Sequence, residues 1–233
     1  MQTGKGIKPR AIEHYPLFAG ISSKERSDIL STAQSRQFLR GETIHRQGEP
    51  VEELVMLTSG CAKIVQFSSK GAEVIFRLCG PGELVGLEGV STKSSHRTTA
   101  QALQSCEAVV WPITAFDLLC QRVSRLGLNG VSILEAQLKE MEERFTEIST
   151  EQVPARLSRQ LARLTDQIGY QENGMLVVRI SREGLGQLTG ISLYTVSRLL
   201  SEWQRRGILR TRGREICIQN WEALERLYLP PLV

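Results

Sequence analysis

The sequence has few of the residue patterns on which enzymes and metal sites usually depend. Its five cysteines form no CxxC pair and its three histidines show no HExxH spacing. It also lacks a GxSxG nucleophile turn and a GxxxxGK phosphate loop. The residues concerned are Cys61, Cys79, Cys106, Cys120, Cys217, His14, His45 and His96. We therefore expect reduced, mostly buried thiols, ordinary surface or turn histidines, no metal site and no enzymatic activity.

Long apolar runs are also absent. No run approaches the roughly 18 to 20 apolar residues that cross a bilayer, and the opening MQTGKGIKPR lacks the apolar segment of a secretory signal. We expect a soluble, cytoplasmic protein. Because 233 residues exceed the usual size of a single domain, we also expect two domains.

Lysine is missing from the carboxy-terminal third, where the positive charge is concentrated. From Pro154 to Val233 there are twelve arginines and seven acidic residues, a net charge of +5, whereas the whole chain carries +4. Arginine is the residue whose guanidinium forms bidentate hydrogen bonds with phosphates and with the edge of guanine. The charge distribution therefore favours nucleic acid as the partner of this third.

Short apolar runs separated by glycine-bearing turns fill the first half of the chain. The runs are ELVMLT, AKIVQF, EVIFRL and EAVVWPI. Runs of this length and turn spacing predict an antiparallel barrel or sandwich, which we place at residues 15–117. Ser22 or Ser23, followed by Glu25, predicts a capped helix near its start.

A different period begins after the strands. Apolar residues alternate at spacings of three and four, which is typical of the a/d seam of a coiled coil. The seam consists of Val131, Leu134, Leu138, Met141, Phe145 and Ile148. Two interpretations are open, a core helix packed on its own barrel or one half of a two-helix dimer interface. The strict 3.5-residue period favours a dimerisation helix at residues 118–151.

Residues 152–233 have the order of a winged helix-turn-helix. RLSRQLARLTDQIG predicts a helix that ends at Gly169, and GMLVVRI predicts a strand. SREGLGQLTG predicts a helix that turns at Gly190 into a second helix, and ILRTRGREICI predicts a hairpin.

The second helix of this motif has two faces. Ser192 is its predicted N-cap and Gly207 its predicted left-handed C-cap. The apolar face consists of Val196, Leu199, Leu200 and Trp203. The polar face consists of Tyr194, Ser197, Arg198, Ser201 and Arg205. We expect the apolar face to pack inward and the polar face to lie in the major groove of DNA.

Three stretches in this order make the chain resemble the CRP/FNR family of bacterial transcription regulators from PLFAGIS to ALERL. They are LRGETIHRQGEPVEELVMLTSGCAKIV, GPGELVGLEGV with HRTTAQAL, and ISREGLGQLTGISLYTVSRLLSEWQRRGIL. The resemblance implies an α+β fold: an N-terminal double-stranded β-helix (jelly-roll) barrel that senses a small molecule, the dimerisation helix, and a C-terminal winged helix-turn-helix. It also implies a homodimer on a palindromic double-stranded DNA site, with RNA polymerase as a further partner if the protein is an activator.

The resemblance carries over to individual positions of the DNA reader. Arg198 matches the family arginine that contacts guanine, and Ser197 matches a serine of the FNR branch that could touch a thymine methyl or a phosphate. Tyr194 departs from the glutamate of many relatives, which puts the base facing it in doubt. Phosphate contacts are implied for Ser181, Ser192, Thr195, Arg212 and Arg214.

The match in the effector cassette is partial. Arg97 and Thr98 match in type the pair that binds a cyclic phosphate. The ribose-binding position after Gly86 is Leu87, with Glu88 one residue late, and the apolar Met141 stands near the position where the cAMP receptor has hydroxyls. cAMP or another cyclic nucleotide is therefore the alternative effector, and effector-independent binding is also open.

Two iron-containing sensors occur in related branches. An iron–sulfur cluster is not expected, because no cysteine precedes Cys61. The cassette and the recognition helix look closer to the branch that regulates nitrogen-oxide respiration, in which haem sensors occur. Haem with nitric oxide, or a redox change, is the effector this implies, and His14 is the preferred candidate axial ligand.

Overall fold

The structure is a computed structural model that describes residues 12–68, 71, 73–87 and 95–229. The chain divides into two compact units within its long helix. The first unit comprises the residues up to 140 apart from the segment 67–75, and the second comprises residues 141–233 together with that segment.

A short 3₁₀ helix at Pro16–Phe18 and helix α1 at Ser23–Ser31 precede the strands. The amide of Glu25 donates to Ser22 Oγ at 3.3 Å, and the amide of Ser22 donates to Glu25 Oε2 at 3.0 Å. This reciprocal capping box satisfies two amides that the first helical turn leaves free. The predicted capped helix is therefore confirmed, with Ser22 as its N-cap.

Eight strands form two four-stranded sheets among the described residues of the first half of the chain. The sheet orders are β1-β8-β3-β6 and β2-β7-β4-β5. The strands are β1 Gln34–Phe38, β2 Thr43–His45, β3 Glu53–Ser59, β4 Ala62–Phe67, β5 Glu73–Cys79, β6 Leu84–Val85, β7 Thr99–Ala102 and β8 Cys106–Pro112. The four runs chosen from the sequence correspond to β3, β4, β5 and β8, and the jelly-roll barrel is confirmed.

Strand β3 is buried on both faces, which explains its unbroken apolar run. Leu54 and Met56 point to the core beneath the helices, whereas Val55 and Leu57 point to the core between the sheets. The helix-side core contains Trp111, whose indole N–H donates to Ile29 O at 2.9 Å. All five cysteines are free thiols, and only one of them is not fully buried.

The long helical segment is two helices rather than one. Helix α2 covers Ile113–Arg122 and helix α3 covers Ser124–Thr150. Val123 between them has φ −121° and ψ 83°, outside the helical region, so the helix that carries the heptad pattern begins at Ser124, after this break. The opening turns of α3 bury Leu126 and pack Leu134 against the helix-side core.

The second unit contains helix α4 at Val153–Ile168 and then a small sheet of order β11-β12-β10-β9. Its remaining elements are β9 Tyr170–Glu172, β10 Met175–Arg179, α5 Arg182–Thr189, α6 Leu193–Arg205, β11 Leu209–Arg212, β12 Glu215–Ile218 and α7 Trp221–Glu225. The winged helix-turn-helix is confirmed. No helix in the described ranges is both long and apolar enough to cross a membrane.

Candidate nucleic-acid interface and effector cassette

The turn between α5 and α6 depends on two glycines. Gly190 ends α5 with φ +66°, a conformation that favours glycine. A Cβ on Gly186 would lie 2.7 Å from the carbonyl oxygen of Ile191, so a side chain there would push the turn away. Glycine at both positions therefore lets α6 start three residues after α5.

Helix α6 presents the two faces that the sequence predicts. Its buried residues are Val196, Leu199, Leu200 and Trp203, which confirms the apolar stripe. Tyr194 is 78% exposed, and Arg198, one turn further along, is also exposed. Ser201 and Arg205 continue the exposed side, while Ser197 is half-buried. Gly207 has the predicted positive φ of +69°.

The serines predicted to contact phosphate are also helix caps. Ser181 Oγ accepts from the amide of Gly184 at 3.0 Å, and Ser192 Oγ accepts from the amide of Thr195 at 3.2 Å. Ser192 Oγ and Thr195 Oγ1 are also 2.9 Å apart. The remaining amides at these two N-termini form the kind of positive end at which anions bind.

The wing is the hairpin of β11 and β12. Its tip is Gly213 with φ +60°, flanked by the exposed Arg212 and Arg214. Gln204 of α6 ties the hairpin to the recognition helix, because its Oε1 accepts from the Thr211 amide at 3.0 Å and from the Thr211 hydroxyl at 2.9 Å. The sequence gives no local signal for this contact, since it depends on tertiary packing.

Most arginines of the second unit fall into two groups. Those in ion pairs with glutamates include Arg159, Arg163 and Arg179. Hydrogen bonding to Arg179 lowers the pKa of Glu215 and keeps that carboxylate ionised. Six others are exposed and form no ion pair within the described residues: Arg182, Arg198, Arg205, Arg210, Arg212 and Arg214. They belong to α5, α6 and the wing, the elements expected to face DNA.

The effector cassette contains a buried pair of histidines. The rings of His45 and His96 stack at a centroid distance of 3.6 Å and an angle of 3°, and the residues are only 8% and 5% exposed. Burial and the neighbouring His96 lower the pKa of His45 to about 3. The expectation of surface or turn histidines is therefore wrong at both positions. The error has a physical cause, because the strand fold brings together two residues that are distant in sequence.

Gly86 lies directly against this pair. It has φ +83°, and a Cβ there would lie 2.9 Å from His96 Cε1. This contact brings Gly86 close to His96, the residue before Arg97. Arg97 is exposed and Thr98 is half-buried. Part of the predicted cassette is thus assembled around the histidine pair.

The ribose position does not offer a hydrogen-bond acceptor. Leu87 is 5% exposed and belongs to the helix-side core. Glu88 lies outside the described residues. Met141 is on α3 and is partly exposed. The described residues of the cassette therefore provide groups for an anion but no carboxylate at the predicted ribose position.

The residues examined for haem do not fit that group. His14 is exposed, and its ring meets the edge of Tyr15 at 5.2 Å. The rings of His45 and His96 are packed against each other. No cluster of three metal-binding side chains exists among the described residues.

Comparison with known proteins agrees with both units. A model of the cyclic nucleotide-binding domain matches residues 35–123, and a model of the Crp-like helix-turn-helix domain matches residues 155–227. The chain is 26% identical over 212 residues to the CRP-like cAMP-activated global transcriptional regulator of Mycobacterium tuberculosis, covering 90% of this chain and 95% of the relative.

Two further comparisons extend the match to the FNR side. The chain is 26% identical over 191 residues to the fumarate and nitrate reduction regulatory protein of Escherichia coli K12, covering 81% of this chain and 76% of the relative. The structure of FixK2 from Bradyrhizobium japonicum has the same fold, with a TM-score of 0.76 at 23% identity over 86% of this chain and 99% of FixK2. Together with the jelly-roll barrel and the winged helix-turn-helix, these matches show that the chain belongs to the CRP/FNR family of DNA-binding transcriptional regulators.

Proposed function

We propose that the protein binds a palindromic DNA site as a cytoplasmic homodimer, with one α6 helix in the major groove of each half-site. The observation that carries this proposal is the exposed polar face of α6, with Tyr194 and Arg198 one turn apart, beside arginines that have no acidic partner. An arginine held this way satisfies guanine O6 and N7 together.

The remaining contacts divide by chemistry. Ser197 directly precedes Arg198 on α6 and would contact a thymine methyl or a phosphate. Tyr194 replaces a carboxylate with a phenol, which changes the preference for the base it faces. Phosphate contacts come from Arg212 and Arg214 of the wing and from the hydroxyls and amides at the N-termini of α5 and α6, which include Ser181, Ser192 and Thr195.

The homodimer would form through the seam of α3. Five seam residues, Val131, Leu138, Met141, Phe145 and Ile148, are between 46% and 73% exposed. Leu134 is the exception, since it packs on the helix-side core. Large apolar side chains that recur at heptad spacing on one exposed face are best explained by a second copy of the helix.

The barrel would carry the control signal. Arg97, Thr98 and the turn at Gly86 favour an anionic effector, and cAMP is the specific candidate because the mycobacterial relative is cAMP-activated. The buried Leu87 argues against a cyclic nucleotide, because it has no carboxylate to bind the ribose. It therefore favours the alternative, DNA binding that needs no effector. RNA polymerase is a further partner if the protein activates transcription.

The DNA-binding proposal is tested by fluorescence anisotropy at fixed salt. Arg198→Ala should weaken binding by about 1 to 3 kcal/mol and relax the preference at one base pair of each half-site. Arg212→Ala should weaken binding to every sequence by a similar factor. Arg226→Ala, which removes an exposed arginine of α7, is the control for lost charge. Equal losses on all sequences for Arg198→Ala and Arg212→Ala would contradict the recognition-helix assignment.

The effector is tested in the same assay by adding cAMP. Tightening of about tenfold, or 1.4 kcal/mol of coupling, would establish that the partial cassette is functional. Arg97→Met should abolish that response without changing binding in the absence of cAMP. No effect of cAMP on wild-type protein would favour effector-independent binding.

A further inference from the structure

The last turns of α3 carry different residues on two faces. Met141, Phe145 and Ile148 continue the exposed seam. Arg144 and Glu147, three residues apart, lie on another side of the helix and are half-buried. These charged residues contact α4 and α5 within the second unit.

Arg144 contacts the end of the first helix of the helix-turn-helix. Its Nη2 donates to the carbonyl oxygen of Leu188 at 2.7 Å. Leu188 is in the last turn of α5, where carbonyls lack helical partners and the helix end is partially negative. A guanidinium at this place satisfies a free carbonyl and interacts favourably with the helix dipole.

Glu147 fixes the same stretch of α3 to α4. Its carboxylate accepts two hydrogen bonds from Arg163, one of them from Nη1 at 2.8 Å. It also lies 3.5 Å from Arg159 Nε, and Arg159 Nη2 donates to Glu151 at 2.6 Å. The side chain of Glu147 is only 13% exposed, so solvent screens this bidentate pair less than a surface pair.

We propose that Arg144 is a positioning residue that fixes the orientation of the recognition helix relative to Met141, Phe145 and Ile148, the part of the dimer seam that lies in the second unit. The proposal rests on the proposed homodimer and on α6 as the reader. Arg144 holds α5 at Leu188, and α6 follows α5 after the short turn at Gly190. Met141, Phe145 and Ile148 of the seam and the residue that holds α5 are thus neighbours on the same turns of α3.

The test compares half-site binding with palindrome binding for Arg144→Met, which keeps an unbranched apolar stem but removes the guanidinium donors. Arg122→Met, an exposed arginine on α2, is the matched control for the lost charge. Three kinds of duplex are compared. The first carries one half-site, and the second carries two half-sites at the helical-turn separation of about 34 Å. In the third, the spacing between the two half-sites is shortened or lengthened by one or two base pairs. Arg144→Lys keeps the charge and a single donor nitrogen, and it replaces the methionine variant in the test if that variant melts at a lower temperature.

We expect Arg144→Met to remain dimeric and to bind the single half-site within about twofold of wild type, while its affinity for the correctly spaced palindrome falls by about tenfold, because a charge-assisted hydrogen bond is lost in each copy. Its penalty for altered spacing should shrink, and Arg144→Lys should be intermediate. Equal losses on half-site and palindrome, or unchanged discrimination between spacings, would overturn the role of Arg144. If wild-type protein itself fails to prefer the palindrome over a scrambled duplex, the homodimer proposal fails as well.

Discussion

The buried histidine pair makes the stability of the barrel depend on pH in a direction that can be worked out. The pKa of His45 falls from 6.5 to about 3 in the folded chain, because burial and His96 disfavour its charged form. Between these two values the unfolded chain binds a proton at His45 that the folded chain does not. The free energy of unfolding therefore decreases as pH falls below 6.5, and the loss continues until the folded pKa is reached.

The magnitude follows from the size of the shift. Each pH unit between the two pKa values removes about 1.4 kcal/mol, so acidification from pH 7.5 to 5.0 should cost about 2 kcal/mol through His45 alone. Other groups titrate in the same range. Burial raises the pKa of Glu83, which acts in the opposite sense because its protonation favours the folded state as pH falls. The contribution of His45 must therefore be isolated by a variant.

His45→Phe keeps an aromatic ring in the stack but removes the proton site. Urea unfolding of the full chain, with hydrogen–deuterium exchange of β3 and β8 to follow the barrel separately, gives the free energy of unfolding at pH 7.5 and 5.0. The variant should lose about 2 kcal/mol less than wild type over this interval. A constant packing penalty cancels in the comparison, and His14→Asn is the control for an exposed histidine. Equal pH dependence in wild type and His45→Phe would refute the buried neutral imidazole.

Two further outcomes test the seam and the cassette turn. Leu138→Asp should leave both units folded but give a monomer by light scattering and lose palindrome binding. The control Glu142→Gln, on the exposed side of α3, should stay dimeric. A dimeric Leu138→Asp variant would contradict the assignment of the seam. Gly86→Ala should lower the unfolding midpoint of the barrel more than Gly71→Ala, because both glycines have positive φ but only at Gly86 would the added Cβ meet a ring, His96 Cε1 at 2.9 Å. Equal losses in thermal melts would show that backbone conformation alone matters at Gly86.

The recognition helix could be predicted from sequence because its signals are local. Ser192 caps it, an apolar face recurs at helical spacing and Gly207 follows its end, and each feature is visible within one short stretch. The barrel strands were predictable for the same reason, since their runs are bounded by turns. Strand β9 was not predicted, although its hairpin with β10 has a local signal, the Asn173–Gly174 turn with φ 50° and 76°.

Contacts between distant segments were not predictable in this way. The His45–His96 stack, the Gln204–Thr211 contact and the Arg144–Leu188 hydrogen bond all join residues whose local sequence is ordinary. The break at Val123 is intermediate, because a β-branched residue lowers helix propensity without fixing where a helix stops. The same limit applies to Leu134, whose heptad position indicates a seam although its side chain packs on the barrel core.

Net charge alone also could not say which arginines are available to DNA. The ion pairs of Arg159 and Arg163 involve Glu147 of α3 and Glu151, the residue after that helix, and both glutamates lie outside the segment counted as +5. The exposed arginines of this segment that form no ion pair among the described residues are therefore the six on α5, α6 and the wing.

This separation of the arginines sets the salt dependence of DNA binding. If Arg198 reads a base, five arginines per copy are left for phosphates, and a dimer should show a slope of log affinity against log salt no steeper than about −9. Arg212→Ala removes one such arginine from each copy and should reduce the slope by about 2, whereas Arg163→Ala removes an arginine that is already paired and should leave the slope unchanged. Anisotropy titrations over a range of sodium chloride concentrations measure all three slopes. A wild-type slope much steeper than −9, or an equal change in both variants, would mean that the paired arginines leave their glutamates to bind DNA.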